Sequence, residues 1–156
     1  MRKAYVIQRR DLPHWQLDGA TYFITWRMHA SQRELSPTER DLVVDALRFF
    51  NGLRYYLSAY VVMNDHVHVI VKPADDIALS SITHSWKSYT SHQMCRNHDR
   101  SSPVWEPESY DHIIRDGIEF RHLSDYVRNN PKKRWPHTTD YRWVWIQEDR
   151  ADDGGW

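Results

Sequence analysis

The chain has 156 residues, of which 40% are hydrophobic and 27% are charged, and its formal net charge is +0 at pH 7. This composition is typical of a soluble globular protein with one domain, and no apolar run approaches the roughly 18 residues of a membrane span. The only cysteine, Cys95, cannot form an internal disulfide or a thiolate zinc site. A reducing, cytoplasmic compartment is therefore favoured. Any metal site is expected to use histidine and oxygen ligands.

The first part of the chain predicts an extended arm, a strand and a helix. Residues 1–18 are basic, aromatic and interrupted by Pro13, which is typical of an extended arm. The β-branched and aromatic run over 20–28 predicts a first strand. A serine cap, a proline at the first helical position and a glutamate three residues after the cap then predict a helix over 37–50.

Two further strands are predicted over 54–63 and 66–72, joined by a tight turn. Successive side chains of a strand point to opposite faces, so His66 and His68 share one face and the intervening valines line the other. Two neutral imidazoles side by side form half of a site for a divalent metal, which still needs ligands from elsewhere. The alternative is a pair of ordinary strand histidines.

The segment 77–97 predicts a helix whose apolar stripe ends in polar residues. Ile82 and Trp86 begin this stripe, and Tyr89 and Gln93 continue it. Because Tyr89 and Gln93 lie one turn apart, they can address a single point, as a nucleophile and a third metal ligand would. The alternative is that Tyr89 is a core aromatic and that Gln93 marks the polar edge of the stripe.

The last part of the chain predicts a strand over 109–115 and a helix capped by Asp116. The helix is expected to end before Pro131, and Asn130 is interpreted as a helix-ending residue. Beyond it, the apolar run Trp143 to Ile146 is expected to dock at an unspecified place.

The element order predicts the fold class. Strand, helix, strand, strand, helix, strand and a final helix indicate an α+β, ferredoxin-like βαββαβ antiparallel sheet, with helices mainly on one face plus an added C-terminal helix. We expect one domain over 1–156, with an arm at 1–18, a core at 19–135 and a tail at 136–156. In this fold the second helix packs back on the sheet, which can bring Tyr89 and Gln93 over the two imidazoles.

Taken together, these segments resemble the HUH single-tyrosine transposases (IS200-like, transposase 17), and within them the REP-associated tyrosine transposases. A His-hydrophobic-His strand followed by Tyr-x-x-x-Gln carries the resemblance, which extends from about Arg10 to Trp135. One departure is Asn64-Asp65, where many relatives carry Pro followed by Asn or Asp, and this alters the turn but not the ligands. The matching stretches are 10–15, 20–27, 61–71, 86–90, 104–105, 110–115 and 126–131.

The resemblance implies a transposase that nicks single-stranded DNA at hairpin repeats and transfers the strand. Tyr89 would attack a phosphodiester and form a 5′-phosphotyrosine link, while His66, His68 and Gln93 would hold Mg²⁺ or Mn²⁺. The implied partner is single-stranded DNA with hairpin repeats, with no membrane and no small-molecule cofactor, and a monomer is slightly favoured over a homodimer. The alternative is a DNA-hairpin-binding protein that descends from such a transposase and does not cut.

Positive charge is concentrated in places that could hold phosphate groups, although short charge runs are more commonly ordinary solvated surface. Basic residues cluster at the N-terminus and near the end of the last predicted helix. Eight tryptophans and nine tyrosines could also stack on unpaired bases. The candidate DNA-binding residues are Arg2, Lys3, Arg9, Arg10, Lys72, Lys87, Arg128, Lys132, Lys133 and Arg134.

Overall fold

The computed structural model of the chain describes residues 19–148. The predicted arm, with Arg2, Lys3, Arg9 and Arg10, lies outside the described residues, as do residues 149–156. The elements in chain order are β1 (Tyr22–Met28), α1 (Pro37–Phe49), β2 (Tyr55–Val62), β3 (His66–Pro73), α2 (Leu79–Asn97), β4 (Trp105–Ile113), α3 (Gly117–Arg134) and β5 (Val144–Ile146).

The described strands form one antiparallel sheet in the order β4-β1-β3-β2-β5. β1 and β3 lie at its centre, as expected of the βαββαβ pattern, and the predicted α+β fold class is confirmed. β5 is the apolar run near the C-terminus, and it pairs along the outer edge of β2. Three residues are too short a signal for the sequence to indicate where this run would dock.

The two faces of the sheet are covered by different helices. Trp26, Val67 and Val69 point to the face where they pack with residues of α1 and α2. Phe23 and Ile70 point to the opposite face, where Val127 of α3 packs against them. Each valine or isoleucine removed from water in this way contributes roughly 1.5–3 kcal/mol, so the alternation along the central strands stabilises both layers.

The start of α1 is fixed by the predicted capping box. The Glu39 backbone N–H donates to Ser36 Oγ at 3.2 Å, and the Ser36 N–H donates to Glu39 Oε1 at 3.0 Å. Glu39 is only 1% exposed, and its carboxylate accepts hydrogen bonds from the Arg100 guanidinium. Burial by itself raises the pKa of Glu39, but hydrogen bonds from Arg100 and the Ser36 backbone, together with the charge of Arg100, lower it from 4.5 to about 2.

Two predicted boundaries differ from the structure by more than two residues. β4 begins at Trp105, earlier than the predicted 109, because Trp105 pairs with Met28 at the end of β1. α3 continues through Pro131 to Arg134. Pro131 lies in the last turn, where its missing N–H removes only one helical bond, and the Trp135 N–H closes the helix by donating to the Pro131 carbonyl at 2.8 Å. Within residues 19–148, no helix is both long and apolar enough to cross a membrane.

Candidate active site

His66 and His68 lie side by side on β3. Their ring centroids are 4.8 Å apart with an interplanar angle of 72°, so the prediction that they share a face is confirmed. Val67 and Val69 point the other way and are 0% exposed. The imidazole face is the one that α3 covers, because Tyr126 and Asn130 of that helix contact the two rings.

One nitrogen of each imidazole is held by a neighbouring oxygen. His66 Nδ1 lies 2.7 Å from Asp65 Oδ1, and His68 Nδ1 lies 2.6 Å from Thr25 Oγ1. Such contacts orient histidines that bind metals, and they reserve Nε2 as the coordinating atom. Burial, together with the charges of His66, Arg27 and Lys133, lowers the pKa of His68 from 6.5 to about 3. The ring is therefore neutral at pH 7 and keeps its lone pair.

α3 adds a tyrosine and an amide to the imidazole face. The Tyr126 ring meets the His68 ring edge-on at 5.3 Å between centroids, and it meets Phe23 at 6.1 Å. One turn later, Asn130 Oδ1 lies 3.2 Å from His66 Nε2. Tyr126 is 38% exposed whereas Asn130 is 4% exposed, so the phenol is reachable from solvent and the amide is enclosed.

Local sequence explains why α3 lies there. Asp116 caps the helix by accepting a hydrogen bond from the Glu119 N–H at 2.8 Å. A hydrogen bond between Glu119 Oε1 and His112 Nε2 of β4 also joins the start of the helix to the sheet. Val127 is buried against the apolar part of the same face. Tyr126 and Asn130 are one turn apart, so both turn toward β3.

The donor set suits a divalent cation. With His66 Nδ1 donating to Asp65, Nε2 carries a lone pair and faces Asn130 Oδ1, which is another acceptor. Two acceptors at 3.2 Å attract each other only when a proton or a cation lies between them. Two imidazole nitrogens and an amide oxygen are ligands that divalent metals accept. Residues 19–148 contain no cluster of three or more His, Cys, Asp and Glu side chains that could hold a metal. A metal bound to the two imidazoles would therefore need the Asn130 amide oxygen as its third protein ligand.

The expectation that α2 brings Tyr89 and Gln93 over the imidazoles is wrong. Trp86 of α2 stacks on Trp26 at 5.8 Å, which places the helix on the face opposite the histidines. The buried stripe runs from Ile82 and Trp86 through Thr90 and Met94, because these are successive four-residue steps along the helix. Tyr89 is 51% exposed, and Gln93 accepts a hydrogen bond from Asn97 at 3.0 Å.

The predicted DNA-binding cations are widely separated. Lys87 Nζ is on the α2 face and donates to the Glu106 carbonyl at 2.8 Å. Lys72 shares the histidine face but lies four residues beyond His68, roughly 13 Å along the strand. Arg128, Lys132 and Arg134 are exposed on α3.

Two cations lie close to the imidazoles. Lys133 Nζ lies 4.0 Å from the centre of the Tyr126 ring, and the charges of Lys133 and Arg27 both act on His68. Arg27 pairs with His66 across β1 and β3 and was not among the predicted residues.

The sequence does contain the signal for the residues that were not predicted. Tyr126 and Asn130 repeat the Tyr-x-x-x-amide spacing of Tyr89 and Gln93 in the last helix. Asn130 was interpreted as a helix-ending residue because Pro131 follows it. The helix continues, and the buried amide faces a histidine instead.

The fold and this arrangement define an α+β protein with a site of two imidazoles, a tyrosine and an amide between the sheet and one helix. The family described as IS200-like transposases matches residues 31–130, and the chain belongs to that family.

Individual relatives agree with this assignment. Over 138 residues the chain is 25% identical to the REP-associated tyrosine transposase of Escherichia coli K12, covering 82% of this chain and 81% of the relative. A solved structure of a REP-associated tyrosine transposase bound to a REP hairpin superposes with a TM-score of 0.72 and 25% identity, covering 86% of this chain and 81% of that one. A crystal structure of a Deinococcus radiodurans protein, with a TM-score of 0.53 and 17% identity over 83% of this chain and 97% of that one, supports the fold alone.

Proposed function

We propose that the chain is a transposase that cleaves single-stranded DNA at hairpin repeats and transfers the strand, with Tyr126 as the nucleophile. The observation that carries the proposal is the packing of α3 on the face of β3 that presents the imidazoles, with Tyr126 against His68 and Asn130 against His66. Hairpin DNA as the substrate is supported by the similar transposase whose solved structure contains a REP hairpin.

In the proposed reaction, Tyr126 Oη attacks the phosphorus of a phosphodiester. A bond from the tyrosine oxygen to phosphorus forms and the bond to the 3′ oxygen breaks. The phenol loses its proton, and the departing 3′ oxygen gains one. The products are a 5′-phosphotyrosine and a free 3′-hydroxyl, so the phosphodiester is exchanged and not hydrolysed. A 3′-hydroxyl from another strand can then reverse the step and restore the tyrosine.

His66, His68 and Asn130 would hold the divalent ion, Mg²⁺ or Mn²⁺. When bound, such an ion supplies positive charge to the phosphate oxygens as negative charge builds on them. Two imidazoles favour Mn²⁺ over Mg²⁺ in vitro, because Mg²⁺ prefers oxygen ligands. Arg27 and Lys133 are cations whose charges act on His68, and they would attract the phosphate to this face.

The test is formation of a covalent protein–DNA adduct. Labelled single-stranded hairpin DNA from repeats flanking the gene is incubated with the protein and Mn²⁺ or a chelator, and the products are separated on a denaturing gel. We expect an adduct with the wild-type chain and Mn²⁺, none with Tyr126→Phe, and an unchanged amount with Tyr89→Phe. The two variants are matched, because each removes one hydroxyl from a partly exposed tyrosine on a helix.

The assay also separates the rival assignments. If Tyr89→Phe loses the adduct and Tyr126→Phe keeps it, the nucleophile is Tyr89 of α2. Tight hairpin binding with no adduct in the presence of Mn²⁺ would indicate a DNA-binding protein that does not cut.

A further inference from the structure

A two-residue turn, Asn64-Asp65, joins β2 to β3 and comes directly before His66. It is closed by the Met63 N–H, which donates to the His66 carbonyl at 2.8 Å. The turn types that match the twist of a hairpin need a positive φ at the first turn residue, and Asn64 does not have one. The position of this turn, and of the imidazole that follows it, therefore depends on contacts with other parts of the chain.

The segment that leads from β1 into α1 supplies these contacts. The Met28 N–H donates to the Asp65 carbonyl at 2.9 Å. The Leu35 N–H donates to the Asn64 carbonyl at 2.7 Å. Asn64 is only 5% exposed, and its Nδ2 donates to Glu34 Oε1 at 3.0 Å. A buried amide needs such a partner because burial takes its donors away from water, so the Glu34 carboxylate satisfies and holds the turn.

A buried arginine fixes the backbone that carries Glu34. Arg100 is 4% exposed, and it donates to the Glu34 carbonyl at 2.8 Å and to the Arg33 carbonyl at 2.9 Å. The same guanidinium also binds the Glu39 carboxylate at the start of α1. The Glu34 side chain itself is 61% exposed, so it reaches the turn from a backbone that is held in place by the protein interior.

Glu34 also faces the end of α3. Its Oε1 lies 3.9 Å from Arg134 Nη2, and both side chains are exposed. Arg134 follows Asn130 by four residues, so the two lie one turn apart on the same side of the helix. The end of α3 is therefore linked to the start of β3 in two places. One link is the direct contact of Asn130 with His66, and the other passes through Glu34.

We propose that Glu34 is a positioning residue for the metal and tyrosine site. By holding the Asn64-Asp65 turn, it keeps His66 at the distance from Asn130 that a shared cation requires. Without the Glu34 carboxylate, the turn would lose its side-chain anchor and the two ligands would no longer be held together. This inference rests on the proposed function, since it takes His66 and Asn130 as metal ligands.

The first measurement is Mn²⁺ affinity by isothermal titration, on variants that urea unfolding in chelator shows to be fully folded. Glu34→Ala should weaken Mn²⁺ binding about tenfold, as for other residues that orient metal ligands. Glu34→Gln keeps an oxygen acceptor for Asn64 and should stay within about threefold of the wild-type affinity, because exposed ion pairs contribute little. Asp75→Ala removes an exposed carboxylate beyond the other end of β3 and should leave the affinity unchanged.

A double-mutant cycle shows whether Glu34 acts through the turn. Asn64→Ala should weaken Mn²⁺ binding by a factor similar to that of Glu34→Ala. The combined variant should bind Mn²⁺ about as well as either single variant, because both changes break the same contact. Losses that multiply in the combined variant, or wild-type affinity in Glu34→Ala, would overturn the proposal.

A readout without metal separates this inference from the proposed metal site. In chelator, the NMR signals of the Asn130 side-chain amide report its contact with His66. They should shift in Glu34→Ala and keep their wild-type positions in Glu34→Gln and in Asp75→Ala. Unchanged signals in Glu34→Ala would overturn the proposal. Shifted signals in a protein that binds no Mn²⁺ would uphold the positioning role of Glu34 and overturn the metal site.

Discussion

His66 Nε2 and Asn130 Oδ1 lie 3.2 Å apart and join the central strand β3 to the last helix. The contact brings together residues that are 64 positions apart in the chain. It also places an amide oxygen where a cation on the imidazoles would need a third protein ligand.

Removal of the amide should abolish metal binding without unfolding the protein. In the wild-type chain, Mn²⁺ at a hundred times its dissociation constant should raise the free energy of unfolding by about 2.7 kcal/mol. Asn130→Ala should lose most of this increase, whereas Gln93→Ala should keep it. Urea unfolding with Mn²⁺ or chelator measures both. An undiminished effect of Mn²⁺ in Asn130→Ala would exclude the amide as a ligand.

The oxygen partners of the imidazoles should tune metal affinity. Thr25→Val removes the hydroxyl at His68 Nδ1, and Asp65→Asn removes the charge at His66 Nδ1. Each change should weaken Mn²⁺ binding by about 10–100-fold, because the rings lose their fixed orientation and part of their basicity. Isothermal titration with Mn²⁺ gives the affinities. Thr139→Val, at an exposed position after α3, is the control and should leave affinity unchanged.

Acid should destabilise the fold through the buried ion pair of Glu39 and Arg100. The folded-state pKa of Glu39, about 2, lies below its ordinary value of 4.5. Its contribution is therefore complete above pH 4.5 and is lost as the pH falls toward 2, which amounts to about 3 kcal/mol. Urea unfolding at a series of pH values should show this loss in the wild-type chain.

Substitution at Glu39 isolates that contribution. Glu39→Gln should cost about 3–5 kcal/mol at neutral pH, because Arg100 would remain buried without its charge partner. Stability of the variant should also fall less steeply between pH 4.5 and 2. Asp125→Asn breaks an exposed ion pair with Arg128 and should cost no more than about 1 kcal/mol. Equal acid sensitivity in Glu39→Gln and the wild-type chain would contradict the assignment.

The orientation of α2 can be tested by comparing two aromatic residues three positions apart. Trp86 is 4% exposed, stacks on Trp26, and donates from Nε1 to Tyr55 Oη at 3.0 Å. Trp86→Ala should cost about 3–5 kcal/mol. Tyr89→Ala should change stability by no more than about 0.5 kcal/mol, since its ring is half exposed. Comparable losses in the two variants would mean that α2 is rotated.

The sequence predicted four of the five described strands, the three described helices and the shared face of the histidines, because alternation and capping are local signals. It did not predict which helix lies over the imidazoles. The clue was present, since Ile82 and Trp86 are apolar and pack on the equally apolar valines of β3. The polar face of β3 packs against α3 instead, where Tyr126 and Asn130 contact the two imidazoles.

Other features depend on contacts that no local pattern contains. The partner of Arg100 lies 61 residues away, and β5 pairs with a strand more than 80 residues earlier in the chain. Composition and the spacing of residues along the chain do not show which distant residues come into contact.

Because α3 folds over the strand of its own chain, one molecule carries the tyrosine, both imidazoles and the amide. In the proposed reaction the cut 5′ end stays attached beside the same imidazoles until a 3′-hydroxyl displaces it. No helix has to be exchanged between molecules for the four groups to meet. The amount of DNA cut per molecule of protein should therefore stay constant as the protein is diluted.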